Sequence, residues 1–244
     1  MFPYKDENPT LRTPVVTYLL IGLNLASWFL LQGLGSEPAL SASVCELGLI
    51  PGEVLGRVPA GVPIPMGAWS CETDGVGWIT VLSSMFLHGG WFHLLGNMWF
   101  LWVFGNNVED SMGRARFLLF YLATGAAAAA AQIGVNPGSV IPMVGASGAI
   151  SGVMGAYIVL YPRVRVHMLV FLGIFITRVA VPAVFMLGYW FLLQLVGGIP
   201  ALAREGGGVA FWAHAGGFVA GMVLVFLFRD PKLLAVRRSY RMPA

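Results

Sequence analysis

Six stretches of this chain, at about residues 14–34, 83–104, 115–134, 146–161, 180–198 and 210–228, are apolar over nearly the length that crosses a bilayer. That pattern leaves few folds open. A hydrocarbon core about 30 Å thick offers the backbone no water, so each crossing segment must satisfy its own N–H and C=O groups, as helices of roughly 20 residues do. Stretches rich in Pro, Gly or charge separate the six. Of the 244 residues only 10% are charged, and mean hydropathy is +0.78. The expected fold is all-α, a polytopic bundle of six transmembrane helices forming one domain over residues 14–228.

Charge orients the bundle. Lys5, Arg12, Arg114, Arg116, Arg163, Arg165, Arg178, Arg229, Lys232, Arg237, Arg238 and Arg241 fall in alternate connections, leaving only Arg57 and Arg204 in the others. Basic residues favour the cytoplasmic side, so both termini are expected there, as a tail over 1–13 and a basic tail over 229–244. An even number of spans agrees with that. The small-residue run Ala39-Leu40-Ser41-Ala42-Ser43 after the first span resembles a signal-cleavage site, but cleavage would break the even count. The net charge of +3 reflects topology and carries no nucleic-acid footprint.

Two connections stand out. The loop at 35–82, rich in Gly and Pro and acidic through Glu37, Glu46, Glu53, Glu72 and Asp74, is too long for a mere connector. It holds both cysteines, Cys45 and Cys71, on the outer side, where a disulfide is permitted but two free thiols remain an equal alternative. Segment 197–209 has Gly197-Gly198 at one end and Gly206-Gly207-Gly208 at the other, which would let it move.

The second, fourth and sixth spans run from outside to inside, so depth can be counted along each at about 1.5 Å per residue. Ser147 stands 16 residues before Arg163, His214 15 before Arg229, and His93 16 before Glu109. All three are therefore expected about 22–24 Å above the inner face, inside the membrane yet near its outer surface. Polar groups level with one another in three parallel helices point to one water-accessible cavity.

A serine hydroxyl becomes a competent nucleophile when a neighbouring base takes its proton, and a buried neutral histidine suits that task. Small residues at four-residue spacing, Gly148 and Gly152 on one span and Ala213, Gly217 and Gly221 on the other, let two backbones approach closely enough for Ser147 to meet His214. At the start of its helix Ser147 has free N–H groups beside it, and His93 with Asn97 one turn on would complete an oxyanion site. His88, five residues before His93, is expected to play a structural hydrogen-bonding part. No acidic residue lies at that depth, so a dyad without a third acidic member is expected.

The runs His88-Gly-Gly-Trp-Phe-His93-Leu-Leu-Gly-Asn97-Met98, Gly105-Asn-Asn-Val-Glu109-Asp-Ser-Met-Gly113, Gly145-Ala-Ser147-Gly148 and Ala213-His214-Ala-Gly216-Gly217 together resemble the rhomboid intramembrane serine proteases. Each motif alone is weak, but the four in order over about residues 80–228 are specific. The resemblance implies Ser147 as nucleophile, His214 as base, and an oxyanion hole from the Ser147 N–H, His93 and Asn97. Glu109 matches a family position read as structural, and Gly145, Gly148 and Gly217 are likewise expected to be structural near the site. The resemblance also implies cleavage of single-span transmembrane protein substrates within the lipid bilayer, with no metal and no organic cofactor, in a bacterial inner membrane.

Two departures are visible. Many members carry Trp-Arg before the histidine motif, whereas Trp78 here precedes Ile79, and well-known members place an aromatic four residues after the nucleophile, where this chain has Ser151. The orienter of His214 must then be another group, for which the Ser151 hydroxyl is the sequence's candidate. On span five Trp190, Phe191 and Gln194 are read as lining a substrate route or facing lipid, and His167 as a surface residue. Two other readings are weighed against the protease: a catalytically silent rhomboid-like protein that binds membrane helices, and a transporter or zinc site using His88, His93 and His214.

Overall fold

A computed structural model describes residues 2–66, 69–73, 77–172, 175–201 and 210–241. Asp74, Arg204 and Gly206-Gly207-Gly208 lie outside them. The chain opens with strand β1 (Phe2–Asp6), followed by α1 (Val15–Leu30), and α2 (Ala39–Leu47) and α3 (Pro51–Val54) with the hairpin β2 (Pro63–Met66) and β3 (Trp69–Glu72). Then come α4 (Thr80–Ser83), α5 (Trp91–Met112), α6 (Arg114–Val135) and α7 (Ser147–Leu160). A second hairpin, β4 (Arg165–Leu172) and β5 (Phe175–Pro182), leads to α8 (Ala183–Ala201), α9 (Phe211–Phe228) and α10 (Pro231–Arg241).

Six of these helices fall in the six apolar windows. Among the described residues α6, α8 and α9 are long and apolar enough to cross a membrane, while α1 and α7 are shorter apolar helices. Large side chains such as Leu19, Leu119, Phe185, Leu192, Phe226 and Leu227 are exposed on the outer faces. A surface this apolar suits lipid as its solvent. Inside, α7 lies against α5, α6 and α9, with Val153, Ala156 and Tyr157 fully buried.

The structure corrects the all-α expectation. β1, β4 and β5 form an antiparallel sheet in the order β1-β4-β5, with Phe2 opposite Leu169 and Arg165 opposite Pro182. In β4 alternate residues Val166 and Met168 are both buried, the two-residue period of a strand, in a stretch rich in β-branched residues. His167 stands on this strand, with Nε2 2.9 Å from Glu7 Oε1.

Residues of both tails are tied to α5. Asp110 accepts hydrogen bonds from the Leu11 N–H and from Arg237 Nη1 on α10, both at 2.7 Å, and pairs with Arg12 at 3.5 Å. Arg237 Nη2 donates to Asn107 Oδ1 at 2.6 Å and to the Pro9 carbonyl at 3.1 Å. Asp6 on β1 accepts from Asn107 Nδ2 at 2.8 Å and from the Tyr157 hydroxyl. Burial outweighs these bonds and pushes the Asp6 carboxyl up to about 6.

The second apolar window also needs correction. Its helix begins at Trp91 rather than near 83, because Gly89-Gly90 interrupts the run and the preceding residues form only α4 and a short 3-10 turn. The 35–82 connection is built around α2, α3 and the β2-β3 hairpin. Cys45 on α2 and Cys71 on β3 are joined as a disulfide, and Leu49 pairs through its backbone with Met143, just before α7.

Candidate active site

The start of α7 is set by glycine. Gly145 has φ +130°, a conformation that side chains rarely adopt, and a Cβ there would lie 2.7 Å from His93 Nε2 and 3.5 Å from Ser147 Oγ. The His93 ring and the Ser147 hydroxyl thus flank the space that only glycine leaves open. The first intrahelical bond runs from the Ile150 N–H to the Ala146 carbonyl at 3.0 Å, so the Ser147 and Gly148 N–H groups lie ahead of the helical ladder. A small cavity of about 20 Å³, enough for one water, is lined here by Ser84, Met143, Gly145, Ser147, Ala210 and Ala213.

Glycines also bring α9 against α7. A Cβ on Gly217 would lie 2.1 Å from the Gly148 carbonyl oxygen, and one on Gly221 2.0 Å from that of Gly152. In the other direction, a Cβ on Gly155 would lie 2.0 Å from the Phe218 carbonyl oxygen. With backbone on backbone, His214 in the first turn of α9 reaches Ser147, its Nε2 2.7 Å from Oγ. The Ala213 N–H donates to Gln132 Oε1 of α6 at 3.3 Å, which ties that first turn down.

Ser151 does not hold His214. Its hydroxyl donates to the Ser147 carbonyl at 2.6 Å, the usual fate of a serine inside a helix with its own i−4 carbonyl in reach. The other ring nitrogen of His214, Nδ1, lies 2.9 Å from Gln194 Oε1 on α8, and the Trp190 ring stands 5.9 Å away centroid to centroid. Gln194 is the residue that sequence reasoning misplaced. Its signal was present as an amide in an otherwise apolar span, where a polar group needs a partner.

On α5, the Gly89 N–H donates to His93 Nδ1 at 3.2 Å. An accepting Nδ1 leaves the proton of the neutral ring on Nε2, the nitrogen that faces Gly145. Asn97, one turn on, is buried, and its amide nitrogen has no partner among the described residues. His88 is fully buried with its ring 5.1 Å from His93, edge to face, and neither ring nitrogen has a partner among the described residues. The bonds expected of His88 run through its backbone instead: its N–H donates to Gln32 Oε1 at 2.8 Å and its carbonyl accepts from Gln32 Nε2 at 2.7 Å.

Glu109 is not near this cluster. It sits 16 residues, about 24 Å, along α5 from His93, where its carboxylate accepts from the Val16 and Thr17 N–H groups and the Thr17 hydroxyl at 2.8–3.0 Å. It caps the start of α1 from outside that helix. Among the described residues no three His, Cys, Asp or Glu side chains are grouped as metal ligands would be.

A sequence model of the Rhomboid domain matches residues 76–231. The chain is 31% identical over 204 residues to the rhomboid protease GluP of Bacillus subtilis, an alignment covering 79% of this chain and 35% of that protein. It is 28% identical over 151 residues to the mitochondrial rhomboid protein 1 of Saccharomyces cerevisiae, covering 59% of this chain and 40% of the relative. Against the human mitochondrial presenilin-associated rhomboid-like protein it is 34% identical over 97 residues, 39% of this chain and 25% of the relative. The chain thus spans well under half the length of these relatives.

Proposed function

The chain belongs to the rhomboid family of integral membrane proteins, and from that premise we propose that it is a serine endopeptidase that cleaves transmembrane segments of other membrane proteins near the outer membrane face. The reading has α1, α5, α6, α7, α8 and α9 crossing a bacterial inner membrane, with both termini in the cytoplasm. The observation that carries it is the 2.7 Å contact of Ser147 Oγ with His214 Nε2. Such a pair has a use in acyl transfer that mere helix binding does not require.

In this mechanism His214 Nε2 takes the Ser147 proton as Oγ attacks the scissile carbonyl, forming a tetrahedral intermediate. The developing oxyanion is met by the Ser147 N–H at the positive end of α7, by the Nε2–H of His93 and by the Asn97 amide, whose orphaned nitrogen is a donor in waiting. His214 returns the proton to the leaving amine. Water, activated by the same imidazole, then hydrolyses the acyl-enzyme. Every proton and charge is handled by side chains and backbone, so the chemistry calls for no metal or cofactor.

Co-expression with a panel of single-span membrane proteins tests the proposal. Wild type is expected to release cleaved fragments from at least one, and Ser147→Ala none while keeping its helical content. Fragments released at the wild-type rate by Ser147→Ala would refute it. A wild type that binds a substrate without cutting it or reacting with a fluorophosphonate would identify a silent binding protein instead.

A further inference from the structure

We infer that Gln194 is the positioning residue of the dyad, a neutral amide that fixes the tautomer of His214 and does the task a carboxylate performs in acid-containing triads. The inference rests on the protease reading above. The Gln194 Nε2–H donates to the Trp190 carbonyl one turn back on α8 at 3.3 Å, which sets the amide's orientation and turns Oε1 toward His214. An amide oxygen only accepts, so the 2.9 Å contact with Nδ1 requires the proton there. The lone pair is then on Nε2, facing the Ser147 hydroxyl 2.7 Å away, which is the one neutral tautomer able to act as base.

No other described side chain competes for this part. Ser151 is committed to the Ser147 carbonyl, and Gln132 to the Ala213 N–H. Trp190 contributes a ring beside the imidazole but makes no hydrogen bond to it among the described residues. The choice of an amide suits the place: Gln194 is 9% exposed on an apolar helix, where an ionised carboxylate bears a desolvation cost that a glutamine avoids.

The test is the rate at which a fluorophosphonate labels Ser147 in the purified full chain in detergent micelles, followed from about pH 5 to 9. Gln194→Met keeps the length of the side chain and loses the acceptor. It is expected to label about 10- to 100-fold more slowly, since Nδ1 no longer dictates the tautomer. Gln194→Glu restores an acceptor and is expected to recover labelling, with the acid limb of its rate profile moved to higher pH because a carboxylate favours the imidazolium. A purely structural role predicts neither the rescue nor the moved limb. Labelling of Gln194→Met at the wild-type rate with an unmoved profile overturns the inference, as does a Gln194→Glu protein as slow as Gln194→Met. Wild-type protein that never labels overturns the protease reading itself, and the inference with it.

Discussion

Replacing Gly217 by alanine tests whether the dyad depends on backbone contact between α7 and α9. The added Cβ would stand 2.1 Å from the Gly148 carbonyl oxygen, where real Cβ contacts almost never fall below 3.0 Å. The obstacle is backbone, next in sequence to Ser147, and cannot rotate away. The helices must therefore part locally by about 1 Å, given the stiffness of packed interiors. Ser147 and His214 sit on the two sides of that contact, so a 2.7 Å hydrogen bond lengthens beyond useful range. Misplacement by about 1 Å costs on the order of 100-fold in rate, or about 2.7 kcal/mol of transition-state stabilisation. The assay is the initial rate of Ser147 labelling by a fluorophosphonate, normalised to folded protein. Gly134→Ala is the control, since a Cβ there meets nothing within 4 Å. Gly217→Ala labelling within about twofold of wild type would refute the reasoning, because a 1 Å parting cannot leave the rate so nearly unchanged.

Two further perturbations address the end of the bundle that holds Glu109 and Asp6. Glu109→Ala removes the acceptor of two N–H groups and a hydroxyl at the start of α1, and is expected to cost about 3–5 kcal/mol, read as a lowered thermal unfolding midpoint in detergent. An unchanged midpoint would show that α1 does not rely on that carboxylate. The Asp6 carboxyl titrates at about 6 when folded against an ordinary value of 3.8. Its stabilising contribution is therefore complete below about pH 4 and lost as pH rises through about 6, a change on the order of 3 kcal/mol. Thermal midpoints measured across that range should fall for wild type more steeply than for Asp6→Asn; parallel curves would remove Asp6 from the account.

The apolar windows and the level polar residues were legible because both follow from one-dimensional rules: hydrocarbon thickness, rise per residue and the spacing of glycines. The start of α5 was misjudged because Leu87 continues the apolar count through a place where Gly89-Gly90 favours a break. The β4-β5 hairpin was hidden for a related reason. Residues 165–179 lie between two apolar windows and read as a connection until a partner strand is known, and β1 lies some 160 residues earlier. Gln194 was visible as a polar residue, yet sequence alone could not choose between lipid-facing packing, a substrate route and His214, because that choice depends on how α8 is rotated. The Asp110–Arg237 pair, 127 residues apart, obeys no local rule at all.

The three-stranded sheet also bears on how the molecule is made. During synthesis β1 emerges well before β4, since Asp6 pairs with Val166, and at about 5–20 residues per second that interval is roughly 8–32 s. Throughout it β1 exists without its partner strand, while α1, α5, α6 and α7 are being made. Pairing of β1 therefore waits for β4, with α8 and α9 still to be made. Asp6 can reach both the Tyr157 hydroxyl and Asn107 only when α5 and α7 are already side by side, which makes β1 a reporter of that helix pairing.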